Sequence, residues 1–306
     1  MNIRKTIRQR QLLNKWINIR EKVLSITLLV LTSLSILTTF CIVLILLKES
    51  IEFFKRVSIL DFYTGTVLKP LSQQASFGIL PLLLSTTIAT FIAMLIAIPI
   101  GLMVAIYLSE FAHHKVRKIV KPLLELLAGI PTIVYGFFAL TFVTPLLRKL
   151  IPILEPTNIL SPGIVMGIMI IPMVASLSED AMSSVPQDLK DGAIALGSTK
   201  WEVTRLIVIP AALSGIVASF VLGISRAIGE TMIVTIASGS SKNLTFDVTQ
   251  SMQTMTAYIV EVMSGDAPVG STIYYSLYAV AMTLFIFTLM MNLLAQYISR
   301  RFREDY

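Results

Sequence analysis

Arg226 and Glu230 stand four residues apart inside a long apolar run, flanked by Ser225 and Thr231. On a continuous helix that spacing puts both on one face, about 6 Å apart. A guanidinium near the middle of a membrane helix is unfavourable by about 3 kcal/mol, so it faces a bundle interior or a water-filled path. Its forked donors match the oxygens of a tetrahedral oxyanion, and a neighbouring carboxylate would hold it in place and limit how tightly the anion binds. Two readings fit these residues equally: an anion site built from Ser225, Arg226, Glu230 and Thr231, and a structural ion pair that neutralises itself. Counting about 1.5 Å per residue from Pro210 puts Arg226 in the outer half of its span. Gly223 and Gly229 would allow close approach of a second helix.

A second polar feature lies between apolar runs, where Asp191, Gly192, Ala193 and Gly197 are followed at a distance by Ile207 and Pro210. Ser184 with Gln187 predicts a capping box for one short helix, and Thr199 with Glu202 predicts another. Gly197 suits the left-handed position just past the first helix, and Pro210 closes the second or starts the next span. Such an elbow has no core of its own. Ala193, Leu196, Val203 and Leu206 are therefore expected to need a partner, most simply a soluble protein docked on the loop.

Other chemistry is not supported. Gly192 and Gly197 have the outer spacing of a phosphate-binding loop, but Ser198-Thr199-Lys200 follows them in place of Gly-Lys-Ser/Thr, and no strand precedes. ATP is thus expected to be hydrolysed by another polypeptide. His113 and His114 sit beside lysines without a third ligand and read as a solvated pair. No Ser/His/Asp set suggests a hydrolase. Cys41, the single cysteine, excludes an intramolecular disulfide.

The chain is 55% hydrophobic and 14% charged, with mean hydropathy +0.80, a balance that belongs to integral membrane proteins. Apolar runs of spanning length are expected near 23–47, 79–108, 123–147, 162–177, 211–237 and 273–297. Pro99 and Gly101 are expected to kink the second. Lysines and arginines cluster before the first run, at 115–121, at 190–205 and at 300–303, which predicts that both termini and the elbow are cytoplasmic. The net charge of +7 is then a topology and lipid signal, without the aromatic interleaving of a nucleic-acid groove. Ile3, Ile7, Leu13, Trp16 and Ile17 among basic residues read as an interfacial helix; a cleaved signal peptide does not fit. The expected organisation is a basic interfacial segment at 1–22, a first span and outer loop at 23–78, and a five-helix core at 79–297. Within that core the elbow occupies 184–210, and a basic tail follows at 298–306. An apolar stretch around Met252 to Met263 is expected to form a short helix on, or dipping into, the outer surface.

The elbow resembles the EAA loop of ABC-transporter permeases, with Asp191, Ala193, Gly197, Ile207 and Pro210 in register. Asp191 stands where that family usually has Glu, and Gly192 where it usually has Ala. Three further stretches resemble phosphate-importer permeases: Arg226 to Thr231, Glu125 to Phe138, and Ser178 to Pro186. Gly78 to Pro81 and Ile106 to Glu110 extend the likeness, which covers almost all of the chain after Phe77. Ala175 to Asp180 and Met255 to Gly270 resemble the PstC type. The PstA type of the same importer is the alternative, as is an ABC permease for another oxyanion such as sulfate or molybdate.

The resemblance implies an all-α, six-span type I importer permease of the bacterial inner membrane that carries out no covalent chemistry. It implies a PstA-like second permease, two PstB-like ATPase subunits that use ATP and magnesium, and a PstS-like phosphate-binding protein. No cofactor is expected on this chain. Arg226 and Glu230 are implicated in phosphate passage, and Asp191, Gly192, Ala193, Gly197, Ile207 and Pro210 in ATPase coupling. Pro131, Tyr135 and Gly136 read mainly as a kinked, closely packed part of the third span. A secondary symporter would need more mid-membrane carboxylates, and a passive anion channel would need rings of basic residues.

Overall fold

The computed structural model describes residues 3–70, 72, 75–265 and 267–301, with side chains described from Arg20 to Leu294 and at 296–297. The interfacial face expected from Ile3 to Ile17 and the basic tail at 298–306 lie outside the described side chains. The chain is helical throughout its apolar parts. Helix α1 covers Ile3–Phe54, and the short α2, Ile59–Thr64, leads to a two-stranded antiparallel ladder, β1 (Leu68–Lys69) with β2 (Ser76–Phe77). Helix α3 covers Leu80–Ile106 and widens into a π-helical turn at Tyr107–Phe111. Helix α4 is His114–Ala128; α5, Thr132–Phe138, joins α6, Thr144–Leu150, through another π-helical turn. Helix α7, Leu160–Ser183, precedes the elbow helices α8 (Gln187–Ala195) and α9 (Lys200–Val203). Beyond them come α10 (Ile209–Ala211), α11 (Leu213–Ile228), α12 (Met232–Ala237), α13 (Met255–Ser264) and α14 (Thr272–Arg301).

Among the described residues five helices are long and apolar enough to cross a membrane, and the pair at 200–211 and 213–228, bent by 69°, makes six if it is counted as one span. The bundle is organised around α3 and α7. Ala89, Ala93, Ala97, Gly101 and Ala105 repeat every four residues along α3 and are buried. That spacing makes a smooth stripe on one helix face, and a Cβ on Gly101 would lie 2.8 Å from Val174 of α7. Small residues at such a seam let backbones approach, which is how membrane helices gain packing without hydrophobic drive. Pro99 lies within the unbroken α3. Around this pair, Ala227, Ile233, Val234 and Ala237 complete the central core. A second cluster, at the end opposite the elbow, joins Phe53, Phe62, Phe77, Met255 and Tyr258. The expected helix near 252–263 is α13; its first turn, Met255–Tyr258, is buried in that cluster, while Glu261, Met263 and Ser264 near its end are exposed.

Two expected spans are broken. The run at 123–147 is two elements: α4 ends at Ala128, Gly129-Ile130-Pro131 is non-helical, and α5 begins at Thr132. Proline keeps the preceding residue out of the helical region, so the chain turns there. Every residue of α4 retains some exposure, so this helix rides on the bundle. The run at 211–237 stops at Ile228 and resumes at Met232. Both runs are apolar enough for a span, but apolarity does not guarantee helical continuity.

Candidate functional site

The break at Gly229-Glu230-Thr231 changes the chemistry expected of the Arg226–Glu230 pair. Arg226 lies in the last turn of α11, where the carbonyl end of the helix favours a cation. Glu230 lies beyond that helix, and its carboxylate accepts the Met232 and Ile233 backbone N–H groups at 3.1 and 3.3 Å. It is a buried cap on α12, 8% exposed, and the shared helix face assumed for the two residues does not exist. No carboxylate among the described residues lies within salt-bridge distance of Arg226, and no described residue accepts a hydrogen bond from it. The half-buried guanidinium lies within electrostatic range of Tyr135 of α5.

The surrounding polar groups fasten the break. Thr256, in the first turn of α13, donates its hydroxyl to the Glu230 carbonyl at 2.7 Å. Thr231 donates to the Gly229 carbonyl at 3.1 Å, and Thr235 to the Thr231 carbonyl at 2.7 Å. Ser225 points elsewhere, donating to Asn292 of α14 at 2.5 Å. Of the four residues expected on a substrate path, Arg226 alone keeps its donors unused; Glu230 and Thr231 serve the backbone. Asn292 escaped sequence reasoning, although an asparagine in an apolar run is itself a signal of a membrane-buried polar partner. Gly223 does approach other helices, with Met94 and Ile170 side chains 3.1 and 3.2 Å from where a Cβ would stand. Gly229 meets only the carbonyls of its own chain turn and marks the end of α11.

Gly136 explains why α5 can sit here. A Cβ on it would lie 3.1 Å from the Met232 carbonyl and 3.3 Å from the Ile233 Cα, so α5 and α12 are in backbone contact. Tyr135 is half-buried and donates its hydroxyl back to the Leu127 carbonyl at 3.1 Å, across the Gly129–Pro131 break.

At the elbow most expectations hold. Gly197 has φ +92°, and the Gly197 and Ser198 N–H groups bond the Ile194 and Ala193 carbonyls at 2.9 and 3.1 Å, a Schellman ending for α8. Thr199 and Glu202 form the full capping box. Its bonds from the Thr199 backbone and hydroxyl hold the Glu202 carboxyl below the usual range. The Ser184–Gln187 box does not form. Pro186 occupies the cap position of α8, and Ser184 instead donates to the Ala181 carbonyl at 2.7 Å. A proline fixes the entry angle through its own φ but offers no side-chain acceptor to the first N–H groups of the helix.

The apolar residues of the elbow divide. Val203 is buried and Ala193 packs with it against Ala105, Met182 and Ile216, so these two are satisfied within the chain. Leu196 and Leu206 are 90% and 69% exposed, joined by Ile194 and Trp201. Ile207 is half-buried, whereas Asp191, Gly192, Gly197 and Pro210 are exposed. Asp191 accepts from Gln187 at 2.9 Å, one helical turn away. The result is a rigid, apolar-tipped knob seated on the bundle.

Residues 97–304 match the family described as binding-protein-dependent transport system inner membrane component. The chain belongs to that family. It is 33% identical over 245 residues, 80% of this chain and 79% of the relative, to the probable ABC transporter permease protein YqgH of Bacillus subtilis. It is 32% identical over 260 residues to the phosphate transport system permease protein PstC of Mesorhizobium japonicum, covering 79% of this chain and 78% of that one. The archaeal protein named probable PstC in Methanocaldococcus jannaschii is 29% identical over 80% of this chain and 83% of its own. In fold, a bacterial ABC transporter that imports the acidic polysaccharide alginate superposes with TM-score 0.59 at 16% identity, over 83% of this chain and 88% of that one. The MetNI methionine transporter, in an inward-facing form, gives 0.54 over 74% and 95% at 16% identity. The family and the fold make this a multi-pass membrane permease subunit of an ABC importer.

Proposed function

We propose that this chain is the PstC-type permease of an ATP-driven phosphate importer, with Arg226 as the anion-contacting group of its path. The observation that carries the proposal is the unpaired guanidinium of Arg226. A structural ion pair would have used Glu230 to neutralise it, and Glu230 is committed to α12. A half-buried cation without a counter-ion is unfavourable in a membrane interior unless water or a transient anion attends it. The choice of phosphate over sulfate or molybdate is supported by the names of the relatives and by the Arg226 to Thr231 stretch; guanidinium geometry fits all three.

A PstA-like permease completes the path, and a PstS-like binding protein delivers phosphate to the face opposite the elbow. Both termini and the elbow are cytoplasmic in this reading, which the basic segments support. Two PstB-like ATPase subunits bind ATP and magnesium and receive the exposed Ile194, Leu196, Trp201 and Leu206 of the elbow. The chain holds no cofactor of its own and breaks no covalent bond. Its contribution is to position a cation, to exclude other routes and to move.

The test is ATP-driven uptake of labelled phosphate by proteoliposomes holding the complete complex, with sulfate as competitor. Uptake that requires ATP and binding protein, resists sulfate and falls at least about tenfold in Arg226→Ala is expected, a loss of about 1.4 kcal/mol or more. Arg226→Lys keeps the charge but loses the fork, and is expected to retain an intermediate rate. Full uptake by Arg226→Ala sinks the anion site, and transport of sulfate in preference to phosphate sinks the substrate.

A further inference from the structure

Among the described residues, two groups of ion pairs lie away from Arg226, where two helical corners meet. One corner is the turn from α3 through Tyr107–Phe111 into α4; the other is the turn from α7 through Ser184–Pro186 into α8. Lys190 of α8 reaches across to Glu110 of the first corner at 2.8 Å, with side chains only 9% and 10% exposed. Glu110 also accepts from Ser109 at 2.7 Å. In return, Arg117 and Lys121 of α4 reach across to α7. Lys121 Nζ lies 2.7 Å from Glu179 and also bonds Asp180, while Arg117 bonds the other Glu179 oxygen. Ser183 closes this group, accepting from Arg117 at 2.8 Å and donating to Glu179 at 2.9 Å. The Glu179 side chain is 1% exposed. Burial alone would lower the Lys121 pKa, but its bonds to Asp180 and Glu179 outweigh that and raise it.

The exchange is reciprocal: each corner gives cations to the other and takes carboxylates from it. Arg117 and Lys121 are four apart, so one face of α4 carries both contacts. Since α4 buries no residue fully, these charges are its firmest attachment to the bundle. Buried ion pairs add little net stability against an apolar alternative, but removing one partner is strongly unfavourable because the other charge is stranded. That asymmetry suits a part that must move as a unit without a deep apolar seam.

We infer that Glu110–Lys190 and the Arg117/Lys121–Glu179 group form a clamp that makes α4 follow the elbow helix α8. Lys190 directly precedes Asp191 on the exposed knob, so displacement of α8 is delivered to Glu110 and, two residues past the π-helical turn, to α4. Helix α4 ends at Ala128, and beyond the Gly129–Pro131 break Tyr135 lies within electrostatic range of Arg226. The clamp therefore links the knob to the anion site through α4. Lys190, Glu110 and Glu179 are positioning residues in this scheme; none touches the anion. The inference rests on the reading of the chain as an ATP-driven permease, and it is independent of which anion is carried.

The experiment uses the full complex in proteoliposomes and reads two quantities. The first is phosphate taken up per ATP hydrolysed. The second is the distance between spin labels at Lys118 of α4 and Arg148 of α6, both exposed, in a Cys41→Ser background with and without ATP. Lys190→Met and Glu110→Gln are expected to lower uptake per ATP about tenfold, within the ordinary range of coupling free energies. They are also expected to abolish the ATP-dependent change in label distance. The exchanged pair, Glu110→Lys with Lys190→Glu, is expected to restore both to within about threefold of the unsubstituted chain. If a single variant does not assemble, the exchanged pair decides. An assembled exchanged pair with normal coupling supports the clamp, and an assembled one without coupling overturns it. Single variants that keep both quantities unchanged also overturn it. An unsubstituted complex that hydrolyses ATP without taking up phosphate removes phosphate as the substrate, while the label distance still reads the clamp.

Discussion

Two apolar runs of this protein are interrupted, and they are interrupted in opposite ways. The gap at Gly229–Thr231 is fastened from both sides: Glu230 caps the helix that follows, and Thr256 holds the Glu230 carbonyl from a third element. The gap at Gly129–Pro131 is bridged by one side-chain bond, from Tyr135 to Leu127. Backbone contact at Gly136 joins the segment after the loose gap to the segment after the fastened one. On the proposed function, the contrast would serve two needs of a transporter: a cation held in a fixed place, and a neighbouring helix that pivots against it.

The comparison can be broken most forcefully at the point of contact. Gly136→Ala forces a methyl against the Met232 carbonyl and Ile233 Cα, and is expected to destabilise the assembled complex by about 1–3 kcal/mol. A thermal unfolding midpoint equal to that of the unsubstituted complex would show that α5 is free to shift away. Glu230→Ala removes the cap, with an expected loss of about 1–2 kcal/mol, and Glu230→Gln, which keeps an acceptor oxygen, is expected to lose much less. Equal losses in the two would assign Glu230 a role through its charge and not through the cap. Thr256→Val leaves the Glu230 carbonyl without its buried donor and is expected to cost about 1 kcal/mol in the same measurement. Tyr135→Phe should have the smallest effect on stability, about 0.5 kcal/mol, but it should speed amide exchange at residues 129–134 selectively. Unchanged exchange there would mean that the loose gap is held by something other than Tyr135.

The six apolar runs were legible in composition, and the elbow was legible in detail. Gly197 and the Thr199–Glu202 box depend on local backbone rules that neighbouring residues alone decide. The interruptions were not legible because hydropathy is indifferent to whether an apolar run stays helical. Gly129-Ile130-Pro131 and Gly229-Glu230-Thr231 each contain a breaker, but each could also sit in a kinked, continuous helix. Once continuity was assumed, Arg226 and Glu230 had to share a face, and the capping role of Glu230 was hidden. The clamp was out of reach for a different reason. Glu110 and Lys190 are eighty residues apart in the chain, and only the packing of α3 on α7 brings their corners together. The two basic residues at 117 and 121, one turn apart on an amphipathic helix, were the trace it left in the sequence.

Gly192 lies inside α8, where glycine is about 1 kcal/mol worse than alanine, yet no described atom lies within 4 Å of where its Cβ would stand. Neither its own fold nor its backbone angles ask for a glycine there, in contrast to Gly197. A side chain has been left out of a helix that would be firmer with one, on the outward face of an exposed knob. Gly192→Ala is therefore expected to firm the isolated chain by up to about 1 kcal/mol, and any loss of ATP-driven uptake it causes measures how closely the proposed ATPase partner is seated there.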